Sequence, residues 1–170
     1  MTSRQRLRRV GILCCHFLRN LAFYRAWFEA GKPNENMQLW VTVNGNFLDI
    51  AVLEWCKLFA DVRGKHYFGK VVSELPTFKA QLFGSLHVTA DEFDNYVSQI
   101  RTYRDKFVAH LDELNEMHIP NLDVAKGSAV FLYQHLLAHE GEDNVFHDAP
   151  ISADALYQNF LSQGQAEYMA

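Results

Sequence analysis

The amino-acid sequence predicts an all-α fold, a single domain over residues 1–170 built as a bundle of about five helices. Apolar residues recur at three- and four-residue steps in five segments, which is the spacing of a helical face. No segment alternates apolar and polar residues as a half-buried strand does, and no internal repeat or low-complexity run occurs. With 49% apolar and 21% charged residues, a chain of this length has the composition of one globular unit.

The first two predicted helices cover about residues 5–30 and 47–62. Apolar residues of the first lie on one face: Leu13, Phe17, Leu21, Tyr24 and Phe28. Gly31 and Pro33 end this helix. The second has apolar residues at helical steps: Phe47, Ile50, Ala51, Leu58 and Val62. The β-branched residues 41–43 either begin the second helix or form a short extended piece.

The next segment, residues 63–88, is predicted to be broken into short helical turns. Three glycines and a proline interrupt it: Gly64, Gly69, Pro76 and Gly84. Its aromatic residues are expected to lie on the core: Tyr67, Phe68, Phe78 and Phe83.

Three further helices complete the bundle. The sequence "TADE" is a capping box in which Thr89 and Glu92 satisfy the first backbone N–H groups, so the third helix begins there and runs to about residue 115. The fourth follows Pro120, and Gly127 is a weak point in it. The fifth begins after Ser152, its predicted N-cap.

Composition narrows the class of partner and the compartment. The net charge of −4 gives nucleic acid no general attraction, so binding to RNA would need a local basic patch. The three cysteines, Cys14, Cys15 and Cys56, form no CxxC pair, which indicates neither a disulfide framework nor a zinc site and fits a reducing cytoplasm. No apolar stretch approaches the ~20 residues of a membrane-spanning helix, so no membrane partner is expected.

Metal and cofactor sites are not predicted. His135 and His139 lie four residues apart on the fourth helix, but no third ligand shares their face, so a solvated face is favoured over a metal pair. No glycine-rich phosphate loop occurs, because "GKHYFGK" lacks the Walker pattern.

The third helix carries an arginine on its apolar face. At ~100° per residue, one stripe holds nine apolar residues, and Arg104 lies inside it: Phe93, Tyr96, Val97, Ile100, Tyr103, Phe107, Val108, Leu111 and Leu114. A guanidinium cannot lose its charge, so Arg104 must find a carboxylate, carbonyls, water or a phosphate. One interpretation is an ion pair with a carboxylate of a neighbouring helix, such as Glu54. The other is a phosphate site.

The sequence "RDKFVAH", residues 104–110, resembles the signature of HEPN domains (higher eukaryotes and prokaryotes nucleotide-binding), an Arg followed by a polar residue and then a His. The tryptophan-containing "LEWCKLFAD" and the five-helix layout are most similar to the abortive-infection branch, which acts in bacterial phage defence. The resemblance implies an HEPN-like fold and a metal-independent endoribonuclease without cofactor. It also implies a homodimer whose protomers share one cleft, with Arg104 and His110 as catalytic residues and Asp105 in a supporting role.

Arg104 and His110 have side chains suited to RNA cleavage. One straight α-helix, however, would hold them too far apart to act on the same phosphate. Histidine can act as base or acid near neutral pH, and arginine offers a fixed positive fork to phosphate oxygens. Six residues of α-helix separate Arg104 from His110 by ~9 Å of rise and ~120° of rotation. We therefore expect either a break in the helix or a two-fold interface that brings in a second copy.

Four basic residues are predicted to bind RNA: Lys106, Arg101, Arg4 and Arg8. The last two belong to a basic run at the N-terminus, which could instead be a solvated helix end.

Some HEPN proteins are silenced by a partner that modifies a Tyr two residues after the His. That position is Asp112 here, so this regulation is not supported, although an antitoxin partner remains an expectation. The alternative function is a catalytically inactive helical module that binds a partner protein or nucleotide.

Overall fold

A computed structural model describes residues 1–31, 38–108, 118–139, 145–150 and 152–169. Six α-helices lie in these ranges: α1 Ser3–Glu29, α2 Gln38–Trp55, α3 Leu75–Leu86, α4 Ala90–Tyr103, α5 Asp123–His139 and α6 Ala153–Met169. No strand occurs in the described ranges. The all-α prediction is confirmed, and the described part of the chain holds one helix more than the five expected. None of its helices combines the length and hydrophobicity needed to cross a membrane.

Helix α1 is the element around which the others pack, since α2, α5 and α6 all lie against it. Its buried residues recur at helical steps: Val10, Cys14, Phe17, Leu18 and Leu21. Of the predicted face, Phe17 and Leu21 are buried, Leu13 and Tyr24 are half-buried, and Phe28 is exposed. A capping box opens the helix, because Gln5 N donates to Thr2 Oγ1 at 3.2 Å and Thr2 N donates to Gln5 Oε1 at 3.1 Å. Gly31, at φ +77°, follows its last turn.

Helix α2 begins at Gln38, so the β-branched residues 41–43 are part of the helix and form no extended piece. Its α-helical hydrogen bonding ends at Trp55 and continues as a π-helical turn, Cys56–Ala60, which we call the first π turn. Asp61 N closes that turn by donating to Cys56 O at 2.8 Å. A π turn holds an extra residue and redirects the side chains that follow it.

The segment predicted to be broken contains a complete helix. A single 3₁₀ turn, Phe68–Lys70, precedes α3. Pro76 lies in the first turn of α3, where a missing N–H removes no intrahelical bond, and His87, at φ +54°, ends the helix. The prediction of short turns was therefore wrong for residues 75–86, because a proline that begins a helix was interpreted as one that interrupts it.

Helix α4 begins as predicted and changes geometry at its far end. In its capping box, Glu92 N donates to Thr89 Oγ1 at 3.2 Å and Thr89 N donates to Glu92 Oε2 at 2.7 Å. At Arg104 the α-helix passes into a second π turn, Arg104–Val108. The remainder of the predicted helix, residues 109–115, lies outside the described residues. Helix α6 has the predicted N-cap, since Ser152 Oγ accepts from Ala155 N at 3.2 Å.

Trp55 joins three helices at the centre of the core. Its fully buried indole stacks on Phe59, with ring centroids 5.2 Å apart, and meets the edge of Tyr96 at 5.5 Å. The indole Nε1 donates to Ser128 Oγ on α5 at 2.9 Å, and that hydroxyl donates in turn to Ala125 O at 2.9 Å. The last residue of α2 is thus fastened to both α4 and α5.

Replacing Ser128 with Ala should leave the buried indole N–H without its acceptor and lower the free energy of unfolding by about 1–3 kcal/mol. Urea denaturation followed by circular dichroism measures it. In a protein that carries Trp55→Phe and so has no indole donor, Ser128→Ala should lower the free energy of unfolding by at least about 1 kcal/mol less than it does in the parent protein. An equal cost in both backgrounds would contradict the assigned bond.

Candidate functional site

Arg104 is the first residue of the second π turn and lies where the sequence places it, on the apolar side of the α4 segment. Its side chain is only 16% exposed. Ile100 and Tyr103 beside it are buried, and Phe107 packs against the core. The permanent charge of Arg104 is therefore held largely out of water.

Two carboxylates compensate this charge. Arg104 Nη1 donates to Asp61 Oδ1 at 2.7 Å, and Arg104 Nε donates to Asp105 Oδ1 at 2.8 Å. Burial of the guanidinium opposes its charged form, but the bonds to Asp105 and Asp61 outweigh that effect and raise the pKa of Arg104. Asp61 follows the first π turn, so the pair joins two π turns that are distant in sequence.

The suggested partner, Glu54, is committed elsewhere. One of its carboxylate oxygens lies 3.4 Å from His16 Nδ1, and the other accepts from Asn20 Nδ2 at 3.3 Å. Burial raises the pKa of the Glu54 carboxyl, although the neighbouring His16 and Lys57 work against the shift. Arg104 therefore forms its ion pairs with Asp61 and Asp105 and not with Glu54.

Asp105 and Cys56 define the immediate surroundings of the guanidinium. Asp105 is 53% exposed, yet its carboxylate turns back onto Arg104. Burial raises the pKa of the Cys56 thiol to about 12, and the charges of Arg104 and Arg101 only partly oppose that shift. The Cys56 thiol is therefore protonated and serves as a small apolar neighbour of Arg104 rather than as a nucleophile.

The other half of the motif is not described. His110 lies outside the described residues, so the distance from Arg104 to His110 stays a prediction. The estimate of ~9 Å and ~120° assumed α-helical geometry. The backbone has π geometry from Arg104 to Val108, so that estimate does not hold across this turn. Within the turn, Lys106 is half-buried, and Arg101 is exposed on the last turn of α4.

The basic run at the start of α1 divides between two faces. Arg8 is committed to an ion pair, because Nη2 donates to Asp148 Oδ2 at 2.7 Å and Nη1 donates to Val145 O at 2.9 Å. Arg4 is exposed in the first turn. Arg6 and Arg9, three residues apart, lie on another side of the helix, close enough to His66 for their charges to act on its imidazole.

His66 lies within electrostatic reach of four basic side chains, and we call these five residues the cationic face: Arg6, Arg9, Lys57, Lys65 and His66. Burial lowers the pKa of His66, and so do the positive charges of its four neighbours on this face. Arg6 Nε and His66 Nε2 are buried and have no hydrogen-bond partner among the described residues. Asp61, the partner of Arg104, begins the loop that carries Lys65 and His66.

Sequence reasoning missed Lys57, Lys65 and His66 as members of this surface. The spacing of Arg6 and Arg9 was the available signal, because residues three apart share one side of a helix and separate from Arg8. Which residues of the 61–67 loop meet them depends on the first π turn, and no local sequence pattern showed that turn.

The histidines of α5 lie side by side, with the ring centroids of His135 and His139 4.8 Å apart. His135 also packs its ring edge-to-face on Phe78, at 4.8 Å. In the described ranges, no group of three or more His, Cys, Asp or Glu side chains is arranged to hold a metal ion. The pair is therefore described here as an aromatic contact.

None of the protein-family models, curated proteins or solved structures compared with the chain matches it. The resemblance to HEPN domains rests on "RDKFVAH" and its neighbouring residues. The HEPN-like arrangement of the helices stays a prediction.

The Arg104 pair can be tested as an interaction by a double-mutant cycle. Arg104→Met and Asp61→Asn should each lower the free energy of unfolding by about 1–3 kcal/mol, with Asp61 at the lower end because its side chain is 38% exposed. The double variant should cost about 1 kcal/mol less than the sum of the single variants, since neither partner is then left unpaired.

Chemical denaturation of the four proteins measures the coupling. Arg101→Met, on the exposed side of α4, is the matched control and should change stability by less than about 0.5 kcal/mol. Strictly additive costs for Arg104 and Asp61 would show that the pair contributes nothing to folding.

Proposed function

We propose that the protein binds RNA and cleaves it as a metal-independent endoribonuclease of the HEPN type, with Arg104 and His110 as the catalytic pair. The observation that carries this proposal is a guanidinium held at a π turn by Asp61, a residue of the same loop as Lys65 and His66 of the cationic face. RNA bound along this loop would extend from the cationic face toward the turn that holds Arg104.

The cationic face supplies a local attraction for RNA, which the net charge of −4 of the whole chain does not. Single-stranded RNA carries regularly spaced phosphates, and each cation that neutralises one releases counterions, which favours binding. Among the described residues, Arg6, Arg9, Lys57 and Lys65 form no salt bridge with a carboxylate. Their charges are therefore available to an RNA backbone, whereas that of Arg8 is not.

Arg104 is suited to stabilise the transition state of phosphate transfer. Its bonds to Asp61 and Asp105 use two of the five N–H groups of the guanidinium. When the ribose 2′-oxygen attacks the adjacent phosphorus, the growing negative charge on the phosphorane can be met by this fixed fork. Asp105 is the more exposed carboxylate, so a phosphate oxygen would displace it first.

His110 would supply the proton transfers. As a base it takes the proton of the 2′-OH; as an acid it gives a proton to the departing 5′-oxygen, and the products are a 2′,3′-cyclic phosphate and a free 5′-OH. One His cannot occupy both positions at once. A homodimer that contributes one His from each protomer would provide both, which is why dimerisation is part of the proposal.

Growth inhibition on expression in bacteria would place the activity in a toxin–antitoxin or phage-defence system, the setting that the HEPN resemblance implies. An antitoxin partner would then be expected to cover the same surface as RNA.

One observation favours a second function, a non-catalytic helical module that binds a partner protein or nucleotide. Arg104 is already compensated by two carboxylates of its own chain. In this alternative the pair only fastens α4 to the first π turn, and removal of Arg104 changes stability without affecting any reaction on RNA.

Purified protein should cut single-stranded RNA in the presence of EDTA and leave a cyclic phosphate end. Arg104→Lys keeps the charge but loses the fork, and it should lower the single-turnover rate by about 10²-fold or more. His110→Ala should lower the rate by about 10²–10⁴-fold. Arg101→Ala removes a predicted RNA contact but no catalytic group, so at saturating RNA it should retain most of the activity.

A second pair of variants separates binding from chemistry. Lys57→Gln with Lys65→Gln removes two cations of the cationic face and should raise KM for RNA about tenfold at physiological salt, with kcat unchanged. Arg25→Gln with Lys126→Gln removes the same charge from the far end of α1, ~24 Å beyond Arg9, and from α5, and it should leave KM within about twofold. Full activity in both Arg104→Lys and His110→Ala would refute the catalytic assignment and leave the non-catalytic module.

A further inference from the structure

A cavity of about 230 Å³ opens between the first half of α1, helix α5, helix α6 and the segment 145–150. We propose that it is a binding site for a small aryl carboxylate, whose carboxylate would contact Arg19 and His16 and whose ring would lie among apolar side chains. The proposal does not depend on RNA binding, since it uses other residues of α1 than the cationic face.

The wall of this cavity is built by specific contacts. Arg8 fastens the segment 145–150 to α1 through Asp148 and the carbonyl of Val145, at 2.7 and 2.9 Å. Tyr133 Oη donates to Pro150 O at 2.6 Å and fastens the same segment to α5. These contacts within the chain fix the wall in place, which reduces the entropic cost of binding.

A helical glycine makes room for an aromatic side chain of the wall. A Cβ at Gly11 would lie 2.6 Å from Phe146 Cε1, so only glycine lets the Phe146 ring approach α1 this closely. Glycine inside a helix costs about 1 kcal/mol relative to alanine. Here it positions one face of the pocket.

The cavity is also lined by Arg19, whose charge acts on the nearby Glu54 but forms no direct salt bridge with a described carboxylate. Arg19 and His16, three residues apart on α1, both line the cavity. No described carboxylate forms a salt bridge with Arg19, because Asp148 is bound to Arg8 and Glu54 to His16 and Asn20. A carboxylate ligand would supply the missing anion, and the planar guanidinium fork matches its geometry.

Apolar side chains also line the cavity and select the body of the ligand. Ile12, Phe146, Leu156 and Phe160 line it. The volume is below the 300–1,000 Å³ that drug-sized ligands occupy, so the ligand is limited to about one ring and its acidic arm. Two phenylalanine rings favour an aromatic body over a polar one.

Phenylacetate is a suitable probe, and phenylacetamide, an uncharged analogue of the same size, is its control. In ¹⁵N-edited NMR titrations of the full chain, phenylacetate should shift the amides of Gly11, Ile12 and Tyr133 with a Kd of roughly 1 mM, which is typical of a ligand of about ten non-hydrogen atoms. Phenylacetamide should bind at the same residues about tenfold more weakly, because it lacks the charge that Arg19 meets.

Two variants test the role of Arg19. Arg19→Gln should weaken phenylacetate about tenfold and leave phenylacetamide unchanged, whereas Arg63→Gln, which removes the same charge from an exposed loop, should alter neither. The comparison of acid with amide on the parent protein needs no variant, so it holds even if Arg19→Gln is unstable. Equal affinities of acid and amide, or shifts at other residues only, would overturn the proposal.

Discussion

A guanidinium that keeps its charge while most of its side chain is shielded from water is the constraint on which this structure depends. Arg104 lies on the face that α4 turns to the core, and only compensation by nearby carboxylates makes that position tolerable. Asp61 and Asp105 provide it at 2.7 and 2.8 Å. The π turn before Asp61 and the π turn that begins at Arg104 flank this contact. The local backbone and the charge pair therefore form one unit.

Much of the helical framework was predictable because it is encoded locally. Thr89 with Glu92 marks the beginning of α4, and Ser152 marks that of α6, since a capping side chain satisfies backbone N–H groups within a few residues. The stripe that places Arg104 against the core is equally local. Helix α3 was missed because Pro76 has opposite meanings at the start and in the middle of a helix.

The site was less predictable because its partners are distant in the chain. Asp61 is 43 positions from Arg104, and the first π turn, which no sequence pattern showed, decides where its carboxylate points. The basic run at the N-terminus appeared uniform in sequence. In the fold, Arg8 fastens the wall of a cavity while Arg6 and Arg9 join Lys57 and Lys65. One helix thus separates the cationic face from the cavity.

We expect the guanidinium of Arg104 to exchange a carboxylate of its own chain for a phosphate of RNA. The Nε–H resonance of Arg104, assigned through its loss in Arg104→Lys, reports this directly in an NMR titration with an oligoribonucleotide whose 2′-O-methyl groups prevent cleavage. If Arg104 binds an RNA phosphate, this resonance shifts in step with the amide resonances of the cationic face. RNA binding that moves the amides of Lys57 and Lys65 but leaves the Arg104 Nε–H unchanged would contradict it, and would leave Arg104 as a structural ion pair.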